Sequence, residues 1–188
     1  MTDTPSIKGQ SYNLLKKYII EKLGADAWQK ILQEVGSQDR EIASKVILDV
    51  SWQPEKPFLN LLNALEKKFG RDDYKLCRSI GNYSAKEGIS RFYKIFIRFG
   101  DPGYVIGRAA NFWNQIHNHG RLEIQRTTPV SALGGLHGYK TPDKAFCHYL
   151  MGYCEGVLEM SGAKNISTSE IRCVCDGNEY CEFIGEWK

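Results

Sequence analysis

Five of the six cysteines fall between Cys147 and Cys181, and in that window Cys147, Glu170, Cys173 and Cys181 are the groups that could converge on a metal. Three thiolates and a carboxylate suit tetrahedral zinc, because a borderline-soft ion accepts sulfur and oxygen donors alike and a closed four-coordinate site is structural, not catalytic. Cys154 and Cys175 are spare thiols, and either could replace a named ligand. Cysteines also occur simply as small buried side chains, and composition alone does not choose between the two readings.

Convergence requires a helix and a hairpin lying back to back. Thr141-Pro142-Asp143 reads as an N-cap, a first-position proline and a first-turn acid, which predicts a helix running to Ser161 and stopped by Gly162. Asn165 to Cys175 and Tyr180 to Trp187 read as strands around an Asp176-Gly177-Asn178-Glu179 turn. The helix climbs about 21 Å from Cys147 to Ser161 at ~1.5 Å per residue. A strand leaving Gly162 recovers that height in about six or seven residues at ~3.3 Å each. Glu170 and Cys173 then draw level with Cys147, and the turn folds Cys181 back beside Cys173. Glu170 and Cys173 lie an odd number of residues apart, so a regular strand sends them to opposite faces, and a bulge or frayed strand is expected there.

The register Cys147-x4-Gly152-x3-Gly156, then Glu170-x2-Cys173-x7-Cys181 followed by Glu182-Phe183, resembles the small-ligand domain of the 4-vinyl reductase type, including the sensor domains of phenol-responsive regulators. The resemblance covers about the last quarter of the chain. It implies a structural zinc held by these four residues beside an apolar pocket. Further forward, LLKKYIIEKLGADAW, an apolar helix and GRDDYKLCRSIGNYSAKEG are similar to the helical front half of haem nitric-oxide-binding domains, whose back half shares its general fold with the 4-vinyl reductase type.

That second resemblance raises haem as a cofactor, and two departures count against it. Those domains carry a proximal histidine on a helix before the sheet, where the run from Ala109 to Ile116 here places Trp113. Their Tyr-x-Ser-x-Arg propionate motif is replaced by Tyr139-Lys140-Thr141-Pro142. His117 and His119 stay as possible axial ligands, although a histidine near a helix end is ordinarily a cap or surface group. The expectation is therefore structural zinc, with haem not expected.

Ahead of this region, Leu14, Leu15, Tyr18, Ile19 and Leu23 form one helical stripe ending at Gly24, and Trp28, Ile31, Leu32 and Val35 form another ending at Gly36. Glu41 to Leu48 reads as a further helical piece. Pro57 opens a helix with Phe58, Leu61, Leu62, Leu65 and Phe69 at core spacing, closed by Gly70. Phe92, Phe96 and Phe99 share a helical face, which is the ordinary signature of core packing. The sharper reading joins them to Tyr104, Phe112, Trp113 and Tyr153 as walls of a pocket for a small apolar or aromatic ligand. Tyr104 to His119 continues as helix, and Arg121 to Thr128 and Val130 to Tyr139 read as strands. The fold class is α+β: a helical N-terminal half followed by a four-stranded antiparallel sheet flanked by helices. The expected organisation is a single domain over residues 1–188, with a helical part to 100 and a helix and sheet part from 101.

A net charge of +3 from 25 basic and 22 acidic residues is too balanced to imply nucleic acid. No segment approaches the ~20 apolar residues of a membrane span, and Met1 to Ser6 is polar, so a cytoplasmic protein with reduced cysteines is expected. There is no Gly-x-Ser-x-Gly, phosphate loop or His-Glu-x-x-His. Gly152 and Gly156 are read as allowing close packing against the sheet, and Cys154 as a buried bystander. These features together predict a non-catalytic, zinc-stabilised sensor-type domain that binds a small molecule and signals through a protein partner or a second copy, as a homodimer. The alternatives are a scaffold subunit of the vesicle-tethering type, a haem-binding gas sensor, or an accessory in tetrapyrrole reduction.

Overall fold

Among the described residues of the N-terminal half, apolar stripes at helical spacing become five helices: α1 (Gly9–Leu23), α2 (Ala25–Glu34), α3 (Ser37–Ser44), α4 (Glu55–Phe69) and α5 (Lys75–Gly88). The computed structural model describes residues 4–89 and 101–188, so the expected positions Phe92, Phe96 and Phe99 lie outside the described residues. Gly24, at φ 94°, makes the break between α1 and α2, a conformation open to glycine without steric cost. α3 starts before Glu41 and stops at Ser44, because Lys45 turns extended. α4 starts at Glu55, not at Pro57; the proline sits in the first turn, where a missing N–H breaks no intrahelical bond. Two short strands, β1 (Ser6–Lys8) and β2 (Trp52–Pro54), pair antiparallel and are too brief to leave a periodic signal.

The second half runs α6 (Pro102–Gly107), α7 (Ala109–Ile116), β3 (Arg121–Thr128), β4 (Ser131–His137), α8 (Lys144–Met160), β5 (Ser167–Arg172) and β6 (Cys181–Glu186). Strand order is β3-β4-β6-β5, antiparallel throughout, and the fold is α+β. The single helix expected over Tyr104 to His119 is two, because the Arg108 N–H bonds back to the Val105 carbonyl at 3.1 Å in a tight turn. α8 is capped by Asp143, whose side chain accepts from the Phe146 N–H at 3.3 Å; Thr141 is engaged elsewhere. The register of β5 against β6 shifts between Glu170 and Arg172. That bulge is what the odd spacing of Glu170 and Cys173 required.

α8 lies between the sheet and α5. A Cβ added at Gly81 would collide with the Tyr149 carbonyl, one at Gly152 with the Arg78 carbonyl, and one at Gly156 would come within 2.8 Å of the Asn82 carbonyl. These glycines therefore bring two helix backbones together, and the expectation that Gly152 and Gly156 face the sheet is corrected. Arg78 locks the same contact: Nε donates to Glu155 at 3.0 Å and Nη2 donates to the Thr168 carbonyl at 2.5 Å, tying α5, α8 and β5. The main core, with Phe58, Leu61, Leu65, Ile80 and Phe146 fully or almost fully buried, fills the space between the helices. A smaller cluster around Ile106, Leu158 and Trp187 lies beneath the sheet.

Because backbone meets backbone at Gly152, Gly152→Ala cannot be relieved by a rotamer change. It is expected to destabilise the fold by about 2 kcal/mol or more, read as a lowered midpoint in urea unfolding.

Candidate functional site

A cavity of about 100 Å³ opens between α1, α5, α7 and α8. Leu14 comes from α1, Ser84 from α5, Phe112, Trp113 and Ile116 from α7, and Tyr149, Leu150, Tyr153 and Cys154 from α8. Of the pocket residues expected from the sequence, Phe112, Trp113 and Tyr153 do line it. Tyr104 does not: it is 57% exposed, with Arg108 stacked over its ring. Cys154 lines this cavity, apart from the other cysteines, and burial pushes its thiol up to about 12, which disfavours the thiolate.

One imidazole reaches the cavity wall. His117 caps the end of α7, its backbone N–H donating to the Trp113 carbonyl at 2.8 Å, so it follows Trp113 by one turn, and the two rings stack at 3.9 Å. His117 Nδ1 bonds Glu55 Oε1 at 2.8 Å, and His119 Nε2 and the Thr141 hydroxyl meet Oε2 at 2.5 Å each. The Lys140 N–H donates to His119 Nδ1 at 3.3 Å. His119 is thus the Nε2–H tautomer, assigned from its partners. Glu55 is fully buried. Burial alone would raise its pKa, but the bonds from His117, His119 and Thr141 outweigh that and hold the carboxyl down at about 2; as the first residue of α4 it also lies at the positive end of the helix dipole. Burial depresses the His117 pKa more than Glu55 raises it. A neutral His117 therefore donates from Nδ1 and keeps its Nε2 lone pair, for which no hydrogen bond is seen among the described residues.

His117 does stand at the end of α7, but both rings are buried, so reading them as surface groups is corrected. Glu55 was not singled out by sequence. The available signal was a lone acid between two prolines, together with two histidines alternating along an extended segment, which places both rings on one side.

The thiols form a second cluster beneath α8. Cys147 Sγ lies 3.7 Å from Cys173 Sγ and 3.9 Å from Cys181 Sγ, and the last two are 3.6 Å apart. The Cys147 thiol donates to Cys181, the Val174 N–H adds a second bond, and Cys181 is drawn down to about 6 against the effect of burial. Burial pushes Cys173 up to about 12. Glu170 approaches Cys173 and Asp176 but does not join all three sulfurs; Lys144 donates to it at 2.6 Å, and its other oxygen is buried without a partner among the described residues. Neither Cys154 nor Cys175 belongs to the trio.

No family model matches this sequence, and no curated protein matches it. Among solved structures the fold has close counterparts. A crystal structure of an H-NOX protein from S. oneidensis in the Fe(II)NO ligation state aligns with TM-score 0.74 at 14% identity, covering 97% of this chain and 99% of that one. An H-NOX domain from Shewanella oneidensis in the Fe(II)CO state, determined by NMR, gives 0.72 at 16%, covering 97% and 99%. Unliganded Fe(II) H-NOX from K. algicida gives 0.73 at 13%, covering 97% of each. A further H-NOX structure, from work probing haem distortion in that family, gives 0.72 at 16%, covering 97% and 95%. The chain thus shares the H-NOX fold along nearly its whole length. The expectation of zinc as cofactor with haem set aside is overturned by these iron- and haem-bearing counterparts. The narrower likeness to the 4-vinyl reductase type finds no counterpart in them.

The Glu55 cluster makes stability fall on acidification. Glu55 has a depressed folded pKa, so its contribution is present above the ordinary carboxylate range and lost as pH drops toward about 2. His117 resists protonation when folded, so stability also declines once pH falls below the ordinary histidine value of 6.5. Glu55→Gln should cost about 3 kcal/mol at neutral pH and flatten the acid limb of a thermal-melting series run against pH.

Proposed function

We propose that this chain is a small-molecule-binding module of the sensor type, not an enzyme, and that haem is the group its site accepts. The observation that carries this is His117: a neutral imidazole at the wall of an apolar cavity, with Nδ1 held by a buried carboxylate and no hydrogen bond to Nε2 among the described residues. Metal-ligating histidines are supported in the same way, the second ring nitrogen bonded to a carboxylate that fixes tautomer and orientation. The absence of a histidine at position 113 loses its force, because His117 emerges one turn later on the same helix face. Tyr139 stacks on His119 and Phe146 and Thr141 serves Glu55, so this stretch braces the histidine pair.

His117 would hold the iron, Phe112, Trp113 and Tyr153 would pack on the macrocycle, and Glu55 would keep the imidazole in its ligating tautomer. Bound haem would supply an iron centre able to take a diatomic gas. At about 100 Å³ the cavity is smaller than the several hundred Å³ of a site for a large ligand, so loading requires the α7 rings to swing outward. Occupancy would then change how α7 sits, and a protein partner reading that surface is the means of output.

We separately propose Cys147, Cys173 and Cys181, with Glu170 beside them, as a metal-ligating set. Three converging sulfurs and the unpartnered Glu170 oxygen support it. Elemental analysis of protein purified without added metal, with Cys173→Ser alongside, tests this reading. Bound metal in the wild type and its loss in the variant are expected, and metal-free wild type overturns it.

Haem added to purified protein should produce a saturable Soret band. His117→Gly should weaken binding about tenfold or more, and free imidazole should restore the band. A wild type that gives no band, or a His117→Gly variant that binds equally well, removes the haem reading.

A further inference from the structure

The two oxygens of Glu55 are not equally loaded. Oε1 meets His117 Nδ1 alone at 2.8 Å, whereas Oε2 meets both His119 Nε2 and the Thr141 hydroxyl at 2.5 Å each. All three donors are neutral: His117 by burial, His119 because its Nδ1 accepts from the Lys140 N–H, and Thr141 as a hydroxyl. A guanidinium or ammonium in their place would cancel the carboxylate charge. Neutral donors spread it and leave it inside the protein.

The oxygens of a carboxylate share one π system, so charge drawn out through Oε2 is lost from Oε1. Thr141 and His119 thereby weaken the pull of Glu55 on the His117 proton. In a buried network such hydrogen bonds polarise one another. Burial raises the Glu55 pKa, yet the bonds from His117, His119 and Thr141 keep it at about 2. The proton therefore stays on Nδ1, and the pull on it is partial, free to grow or shrink.

The imidazole passes that pull on. A proton drawn from Nδ1 toward a carboxylate enriches the conjugated ring in electrons and makes Nε2 a stronger donor. His117 lines the cavity, while Glu55, His119 and Thr141 lie outside its lining, so these three act on a guest through the ring. Hydrogen bonding behind an axial ligand is one of the means by which a protein tunes haem iron.

We propose that Glu55 sets the donor strength of His117, and that Thr141 and His119 hold that strength below its maximum by loading the other carboxylate oxygen. This rests on His117 as the iron ligand, while the carboxylate relation itself exists in the unloaded chain.

Two variants push in opposite senses. Glu55→Gln exchanges the charge for a neutral acceptor, and Thr141→Val removes one donor from Oε2 and concentrates charge on Oε1. In the unloaded chain, the His117 Nδ1 proton followed by NMR on nitrogen-15-labelled histidine should move upfield in Glu55→Gln and downfield in Thr141→Val. Thr141→Ser should return it to the wild-type position. In the haem-loaded ferrous chain, the Fe–His117 stretching band in resonance Raman should fall in Glu55→Gln and rise in Thr141→Val, and the reduction midpoint should rise in the first and fall in the second. A carboxylate that merely braces the ring gives shifts of one sign in both variants, or none, and either result overturns the proposal. Where Glu55→Gln does not fold, Thr141→Val decides alone, an unmoved or upfield proton overturning it. A wild type without a Soret band removes the haem reading and the ligand role with it, even if the proton shifts are as expected. A Soret band with unmoved proton and stretching signals removes the tuning and leaves the haem reading in place.

Discussion

A buried carboxylate joins the two halves of this molecule. Glu55 belongs to the helical half, while the groups that solvate it, His117, His119 and Thr141, all come from the half that carries the sheet. An ionised carboxyl taken out of water is costly unless its oxygens are bonded. Each of these oxygens is, and each donor is placed by a different local device. His117 is set by the end of α7, His119 by the extended segment leading to β3, and Thr141 by the approach to α8. The negative charge thus fixes the mutual position of three segments, and with them the ring that faces the cavity.

The second constraint is steric. Gly81, Gly152 and Gly156 let α5 and α8 approach until backbone touches backbone, and the aromatic side chains of α8 are displaced to the flank of that contact. The cavity lies on this flank. Its walls are close-packed on the α5 and α8 side and come from α1 and two short helices, α6 and α7, on the other. Any guest must be accommodated by the second wall.

Much of the sheet and the sulfur cluster was legible because their signals are local. Alternation marked β3 over the residues it occupies, and the thiol convergence followed from rise per residue in a helix and a strand. The parity of Glu170 and Cys173 called for a bulge or a frayed strand, and a bulge is what the register shows. What escaped depends on distant partners. Glu55 and His117 are 62 positions apart, and nothing in the neighbourhood of either shows that the other waits for it. The partner of the α8 glycines was mistaken for the same reason: their spacing announces a close neighbour without naming it. Haem was set aside on two departures, Trp113 at the expected histidine and Tyr139-Lys140-Thr141-Pro142 at the propionate motif, while His117, one turn later, was weighed as an axial ligand and read as an ordinary helix-end group.

The short strand β1 has a consequence for how the molecule is assembled. Ser6 donates its N–H to the Asn118 side chain at 2.7 Å, and Ile7 bridges to His117, across more than half the sequence. Contacts this remote in the chain are closed late. During synthesis the first helices can emerge and collapse, yet the histidine wall receives its backstop only after the ribosome has delivered the region beyond α7. Until then the segment around Ile7 has its pairing with β2 but not the bridge to His117.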